Sequence, residues 1–174
     1  MAVVHKSILV DANFLVAMVN PKLSSDDRAR IGHLFETVEK AKGRIVIPMP
    51  AAAEYLVGAD IAGVETLNRL ERKAHILLAP FDRAAAFECA QLDRASIGAG
   101  DKRDGSTAPW QKIKIDRQIV AIGKVHGTTL VISGDGSVRG NALRVGMEAV
   151  QIHELELPAS ARQWDLKLEP GTKK

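Results

Sequence analysis

Short apolar runs alternate with longer amphipathic segments along most of the chain. Each run is bounded by turn-forming or helix-capping residues, a pattern typical of buried strands. The runs predict five strands, at residues 7–10, 45–47, 76–78, 129–132 and 149–151. Apolar residues at helical spacing predict the intervening helices, at about residues 14–19, 25–42, 51–57, 61–73, 83–95, 115–125 and 138–144.

Strands that alternate with helices form a parallel sheet covered on both faces. We therefore predict an α/β fold, a three-layer α/β/α sandwich with a central five-stranded, mainly parallel sheet. One domain is expected to span residues 1–152, followed by a C-terminal tail at 153–174 that shows little periodicity. The stretch 96–112 contains glycine, proline and charged residues and is predicted to be a long irregular loop, either functional or disordered.

Composition narrows the class of protein. A length of 174 residues fits a single domain, and a 46% hydrophobic content is enough for a sizeable core. The single cysteine, Cys89, excludes an internal disulfide framework, so we expect a reducing, cytoplasmic location. No apolar stretch is long enough to cross a membrane, and residues 1–10 lack the apolar core of a signal peptide. The net charge of +3 permits a polyanionic partner without requiring one.

Four acidic residues follow predicted strands or lie on helices that begin there. Asp11 and Asp135 follow the first and fourth strands, Glu54 lies on the helix after the second strand, and Asp116 is placed at the start of a helix. Each alone is equally typical of a helix cap or a solvated helix residue. Ligand sites of parallel sheets lie beyond the carboxyl ends of the strands, so the four carboxylates can converge. Oxygen ligands without histidine or cysteine pairs favour Mg²⁺ or Mn²⁺ over zinc.

Four segments in the same order resemble the PIN-domain family and together cover residues 7–151. Two segments resemble the first half of such a domain: Ile-Leu-Val-Asp11-Ala-Asn13 and Pro48-x-Pro50-x-x-x-Glu54-Tyr55-Leu56-Val57-Gly58. Two further segments resemble its second half: Lys112-x-x-x-Asp116-Arg-Gln-Ile-Val-Ala-Ile and Leu-Val-Ile-Ser133-Gly-Asp135. The resemblance implies a Mg²⁺- or Mn²⁺-dependent ribonuclease, many of which are toxins of bacterial toxin–antitoxin pairs. It also implies an antitoxin protein as partner and a homodimer.

The resemblance assigns roles to individual positions. The implied catalytic and metal-binding residues are Asp11, Glu54, Asp116 and Asp135, and Asn13 and Ser133 are implied to orient the metal ligands or the RNA. Metal-assisted hydrolysis of a phosphodiester is the implied reaction. Lys112 and Arg117 are candidates for contacts with substrate phosphates, although a run of charges is also typical of a solvated surface.

Two other functions remain open from the sequence. A PIN-like scaffold could bind RNA or a protein without cutting, and metal binding by the acids would distinguish the two cases. A phosphohydrolase of the haloacid-dehalogenase type also places an aspartate after its first strand. That chemistry needs a second aspartate two residues on, where this chain has Asn13.

Overall fold

A computed structural model describes residues 5–162 and shows an α/β sandwich. Its five strands are β1 (Ser7–Val10), β2 (Arg44–Pro48), β3 (Ile76–Ala79), β4 (Leu130–Ile132) and β5 (Glu148–Val150). They form one sheet in the order β3-β2-β1-β4-β5, and every neighbouring pair is parallel. The predicted fold class and all five predicted strands are therefore confirmed, with ends that shift by a residue or two.

The helices cover both faces of this sheet. They are α1 (Ala12–Val19), α2 (Ser25–Lys40), α3 (Met49–Gly58), α4 (Ile61–Glu71), α5 (Arg83–Gly98), α6 (Trp110–Val125), α7 (Gly136–Arg144) and α8 (Ala159–Arg162), with a short 3-10 turn at Ile152–Glu154. Four of them begin at an aspartate whose side chain accepts a backbone N–H of the first turn, namely α1, α4, α5 and α7. These carboxylates satisfy donors that the helix itself leaves unpaired.

The sheet forms the centre of the apolar core. Strand β1 lies in the middle and its residues Ile8, Leu9 and Val10 are fully buried. Helix α6 crosses the sheet with a continuous buried segment that includes Ile119, Val120 and Ile122. Strand order reverses between β1 and β4, so the crevice beyond the ends of these two strands is the expected ligand site of such a sheet.

The loop predicted at residues 96–112 is shorter than expected. Helix α5 continues to Gly98 and α6 already begins at Trp110, so the irregular segment is 99–109. Asp116 consequently lies inside α6 and does not open a helix, which corrects the sequence-based placement. The lysines and glutamine of the first turns of α6 are good helix formers, and they extend the helix beyond the apolar pattern on which the prediction relied.

The predicted C-terminal tail lies partly outside the described residues, at 163–174. In the described part, the Arg30 side chain of α2 donates a hydrogen bond from Nε to the Leu155 carbonyl at 3.0 Å. Leu155 also packs against the main core. Within residues 5–162, no helix has the length and apolar character needed to cross a membrane.

Candidate active site

Asp11 lies where β1 ends and α1 begins. The residue is 3% exposed, and its Oδ1 atom accepts the Phe14 backbone N–H at 3.0 Å. Its Oδ2 atom accepts a short hydrogen bond from the Ser133 hydroxyl and a long one, 3.5 Å, from the Asn13 amide. The helix start and the neighbouring strand therefore hold this carboxylate in one orientation.

Asp135 lies on the adjacent turn between β4 and α7. Its backbone N–H donates to Ser133 Oγ at 2.9 Å, and its Oδ1 atom accepts the Ser137 N–H at 2.7 Å. Ser133 is itself held by Arg139, which donates to the Ser133 carbonyl at 2.7 Å. Ser133 thus connects Asp11 to the turn that carries Asp135, across the point where strand order reverses.

Asp116 lies on α6 and is joined to Asp135 by the side chain of Lys112. The Lys112 ammonium donates to both oxygens of Asp116 at 3.1 Å and to Oδ2 of Asp135 at 2.5 Å. Asp116 is only 3% exposed. Three of the four predicted acids are therefore linked in one site, by a serine on one side and a lysine on the other.

The three carboxylates differ in how readily they hold a charge. Burial raises the pKa of Asp11, and the charge of Asp135 adds to this effect although three hydrogen bonds oppose it. Burial likewise raises the pKa of Asp116 against the opposing bonds from Ser137 and Lys112. Burial also disfavours the charged form of Asp135, but the Lys112 ammonium and two backbone N–H groups outweigh it, so this pKa is lowered. The ionised form is therefore favoured at Asp135, beside the Lys112 ammonium, and disfavoured by burial at Asp11 and Asp116.

Glu54 does not join the other acids. It is an exposed residue of α3 and lines a groove with residues of α1 and α4, including Val16, Tyr55 and Arg69. Across residues 5–162, no three histidine, cysteine, aspartate or glutamate side chains form a ready-made metal site. The structure thus brings together Asp11, Asp116 and Asp135, whereas Glu54 has no recorded hydrogen bond or ion pair to any of them within that range.

The donor set nevertheless fits a hard divalent cation. Ser133 contacts Asp11, and Lys112 joins Asp116 to Asp135. The site thus offers carboxylate and hydroxyl oxygens, which are the ligands that Mg²⁺ and Mn²⁺ prefer. A cation already lies between two of the acids, because the Lys112 ammonium contacts three of their oxygens. Asp116 and Asp135 are therefore the residues that would hold an ion, with Asp11 beside them.

Arg117 is not available for the substrate contact predicted from the sequence. The side chain is 1% exposed, and its guanidinium donates to Asp93 Oδ1 at 2.6 Å and to Asp104 Oδ2 at 2.7 Å. Further bonds reach Ser96 Oγ and the Lys102 carbonyl. Arg117 thus fastens the loop 99–109 to α5 and α6. Its spacing of four residues from the buried Ile113 and Ala121 was the available signal that it lies on the core face of the helix.

Two contributions to the site escaped the sequence reasoning. Ser137 donates its backbone N–H to Asp135, and the only hint in the sequence was its position in the first turn of the helix capped by Asp135. Lys112 was expected to contact phosphate, but in the structure it pairs with carboxylates. The four-residue spacing of Lys112 and Asp116 on a helix was a signal for that pair, whereas nothing in the sequence indicated the contact with Asp135.

Comparisons with known proteins place the fold. No protein-family profile matches the sequence, and no curated protein matches it significantly. Among the solved structures that are similar in fold are two VapBC structures. The DNA-bound VapBC2 from Rickettsia felis matches with a TM-score of 0.54 and 12% identity over 83% of this chain and 98% of that one. The DNA-bound VapBC from Salmonella typhimurium matches with a TM-score of 0.52 and 15% identity over 84% and 98% of the two chains. The fold of this chain is therefore PIN-like, as in these VapBC structures.

Proposed function

We propose that this chain is a cytoplasmic, Mg²⁺- or Mn²⁺-dependent ribonuclease and the toxin of a toxin–antitoxin pair. Its partners are then an RNA substrate, an antitoxin protein and a second copy of the chain. The observation that carries the proposal is the convergence of Asp11, Asp116 and Asp135 at the point where strand order reverses. The fold, shared with two VapBC structures, supports the same conclusion.

The chain's own residues supply binding and orientation. A divalent ion bound here would activate a water molecule and neutralise charge on the phosphodiester. Asp116 and Asp135 would hold that ion, and the Ser137 N–H orients Asp135. Ser133 holds its proton on the bond to Asp11 Oδ2 and so fixes the direction of that carboxylate. Asn13 packs beside Gly134 at the rim, where it can contact the RNA backbone.

Metal-dependent cleavage of RNA tests the proposal. Purified protein incubated with a mixed-sequence, end-labelled RNA is expected to cut it in the presence of millimolar Mg²⁺ or Mn²⁺ and to stop when a chelator is added. A single-stranded DNA of the same sequence is the matched substrate control for RNA preference. Cleavage that persists in excess chelator would contradict the metal-dependent mechanism.

A groove between α1, α3 and α4, lined by apolar residues such as Val16 and by the charged Glu54 and Arg69, is the proposed docking site of the antitoxin. The groove encloses about 710 Å³, and Val57 and Ile61 beside it are 89% and 81% exposed. Exposed apolar residues that cluster around a groove are typical of a protein interface. Because the similar structures are complexes of two proteins, we assign this groove to an apolar segment of an antitoxin.

Charged substitutions in the groove are expected to separate antitoxin binding from cleavage. Val57→Asp and Ile61→Asp should each weaken binding of the antitoxin by at least about tenfold, since each would bury a charge at the proposed apolar contact. Phe87→Asp, on the exposed face of α5, is the matched control. Binding measured by calorimetry that is equally tight for all three variants would exclude the groove.

A non-cleaving binding module is the second candidate. It is favoured by the lack of a ready-made metal site in residues 5–162 and by the ammonium that already pairs with two of the acids. Under this alternative, millimolar Mn²⁺ would not raise the melting temperature of the protein. Under the nuclease proposal it would, because an ion that binds only the folded state stabilises it.

A further inference from the structure

Lys112 holds an unusual position for a lysine at a candidate metal site. Its ammonium contacts both oxygens of Asp116 and one oxygen of Asp135 at 2.5–3.1 Å. The two acids come from different elements, α6 and the start of α7. Its side chain is still 43% exposed, so the ammonium can move out to solvent without unfolding the helix.

The contacts of Lys112 use the oxygens that a divalent ion would need. An ammonium and a metal ion cannot both bind these oxygens closely, since two cations at such a distance repel each other strongly. Either cation would offset the repulsion between the carboxylates of Asp116 and Asp135, since both contact the same ammonium at 2.5–3.1 Å. The same oxygens therefore serve two mutually exclusive partners.

We propose that Lys112 is an internal counter-cation that keeps the metal-free site assembled and must be displaced when a divalent ion binds. This inference rests on the proposed function, because it requires that the site takes up an ion. Lys112 then sets the metal concentration at which the site fills. The displaced ammonium remains on the exposed rim of the site, beside the acids.

A surface ion pair on one helix is the simpler interpretation of Lys112, and the geometry argues against it. Such a pair, four residues apart, would involve Asp116 alone and contribute little. The contact with Asp135 spans 23 residues and joins α6 to the turn after β4.

The affinity for Mn²⁺ is the direct test, measured by calorimetry on the full chain without RNA. Lys112→Met and Lys112→Gln are expected to bind Mn²⁺ about tenfold more tightly than the wild type, since each removes the competing charge. Lys112→Arg keeps the charge and is expected to bind Mn²⁺ about as weakly as the wild type. Lys114→Met is the matched control, because Lys114 lies on the same helix and forms no ion pair within residues 5–162.

Thermal unfolding supplies a second readout that does not depend on activity. Without metal, Lys112→Met is expected to melt below the wild type and the Lys114→Met control, and saturating Mn²⁺ should remove the difference. If wild type and Lys112→Met bind Mn²⁺ with equal affinity, the counter-cation role is wrong while the metal site stands. If neither binds Mn²⁺, both this inference and the proposed nuclease function are wrong.

Discussion

Replacing Asp11 with Asn is expected to lower the rate of RNA cleavage by about 10³-fold, or about 4 kcal/mol of transition-state stabilisation. The amide keeps the shape of the side chain and can still accept the Phe14 N–H that caps α1. It removes the negative charge that the proposed mechanism places beside the ion. The loss should appear as a lower single-turnover rate at saturating Mn²⁺.

The same substitution is expected to stabilise the metal-free protein, raising its melting temperature by about 2–4 °C. Burial raises the pKa of Asp11 above its usual value of 3.8, so the ionised form is disfavoured in the folded state. The ionised carboxylate therefore costs stability above its folded pKa. That cost disappears as the pH falls through the folded pKa toward 3.8, where wild type and variant should melt together.

Asp82→Asn is the control for this pair of effects. Asp82 also caps a helix, α5, and accepts the Ala85 N–H at 2.9 Å, but it lies outside the linked acids. The variant should cleave RNA at the wild-type rate. If Asp11→Asn cleaves as fast as Asp82→Asn, then Asp11 is only a helix cap.

The second large effect concerns stability. Arg117→Met is expected to destabilise the protein by about 3–5 kcal/mol, because it leaves Asp93 and Asp104 without their buried partner. Ser96 and the Lys102 carbonyl lose a donor as well. The loop 99–109 should then loosen from α5 and α6. Urea unfolding measures the loss as a lower midpoint at an unchanged slope.

Arg144→Met removes the other arginine that contacts Asp104. Arg144 donates to the same Oδ2 atom at 2.6 Å, but its side chain is 48% exposed. Its removal should cost less than about 1 kcal/mol, as is usual for a solvated ion pair. Equal losses for the two variants would show that burial of Arg117 is not what stabilises the loop.

The sequence predicted the framework of this protein because strands and helix caps leave local signals. Each buried strand is an apolar run, and Asp11 comes directly after β1 while Asp135 lies three residues beyond the end of β4, so sheet topology brings these acids to one crevice. The loop was predicted too long because the polar first turns of α6 carry no apolar periodicity. Helix propensity decides the structure there.

Contacts between distant residues could not be predicted in the same way. The bond from Lys112 to Asp135 depends on how α6 lies against the turn after β4, which no local pattern specifies. The guanidinium group of Arg117 is of a kind that often binds phosphate. In the structure it instead donates hydrogen bonds to two carboxylates and one hydroxyl of α5 and the loop, and the side chain is buried. Glu54 follows the spacing of the family motif, and the structure places it in the groove of α1, α3 and α4. Its assigned role in metal binding stays a prediction.

The most direct test of the account is the position of manganese in crystals grown with Mn²⁺. We predict an anomalous scattering peak between the carboxylates of Asp116 and Asp135, next to Asp11, with the Lys112 ammonium moved away from both. Crystals of Asp11→Asn, grown with the same concentration of Mn²⁺, serve as the comparison that shows whether the peak depends on the Asp11 carboxylate. Well-ordered wild-type crystals that show no peak at these carboxylates, with Lys112 still bound to them at saturating Mn²⁺, would contradict the proposed metal-dependent nuclease.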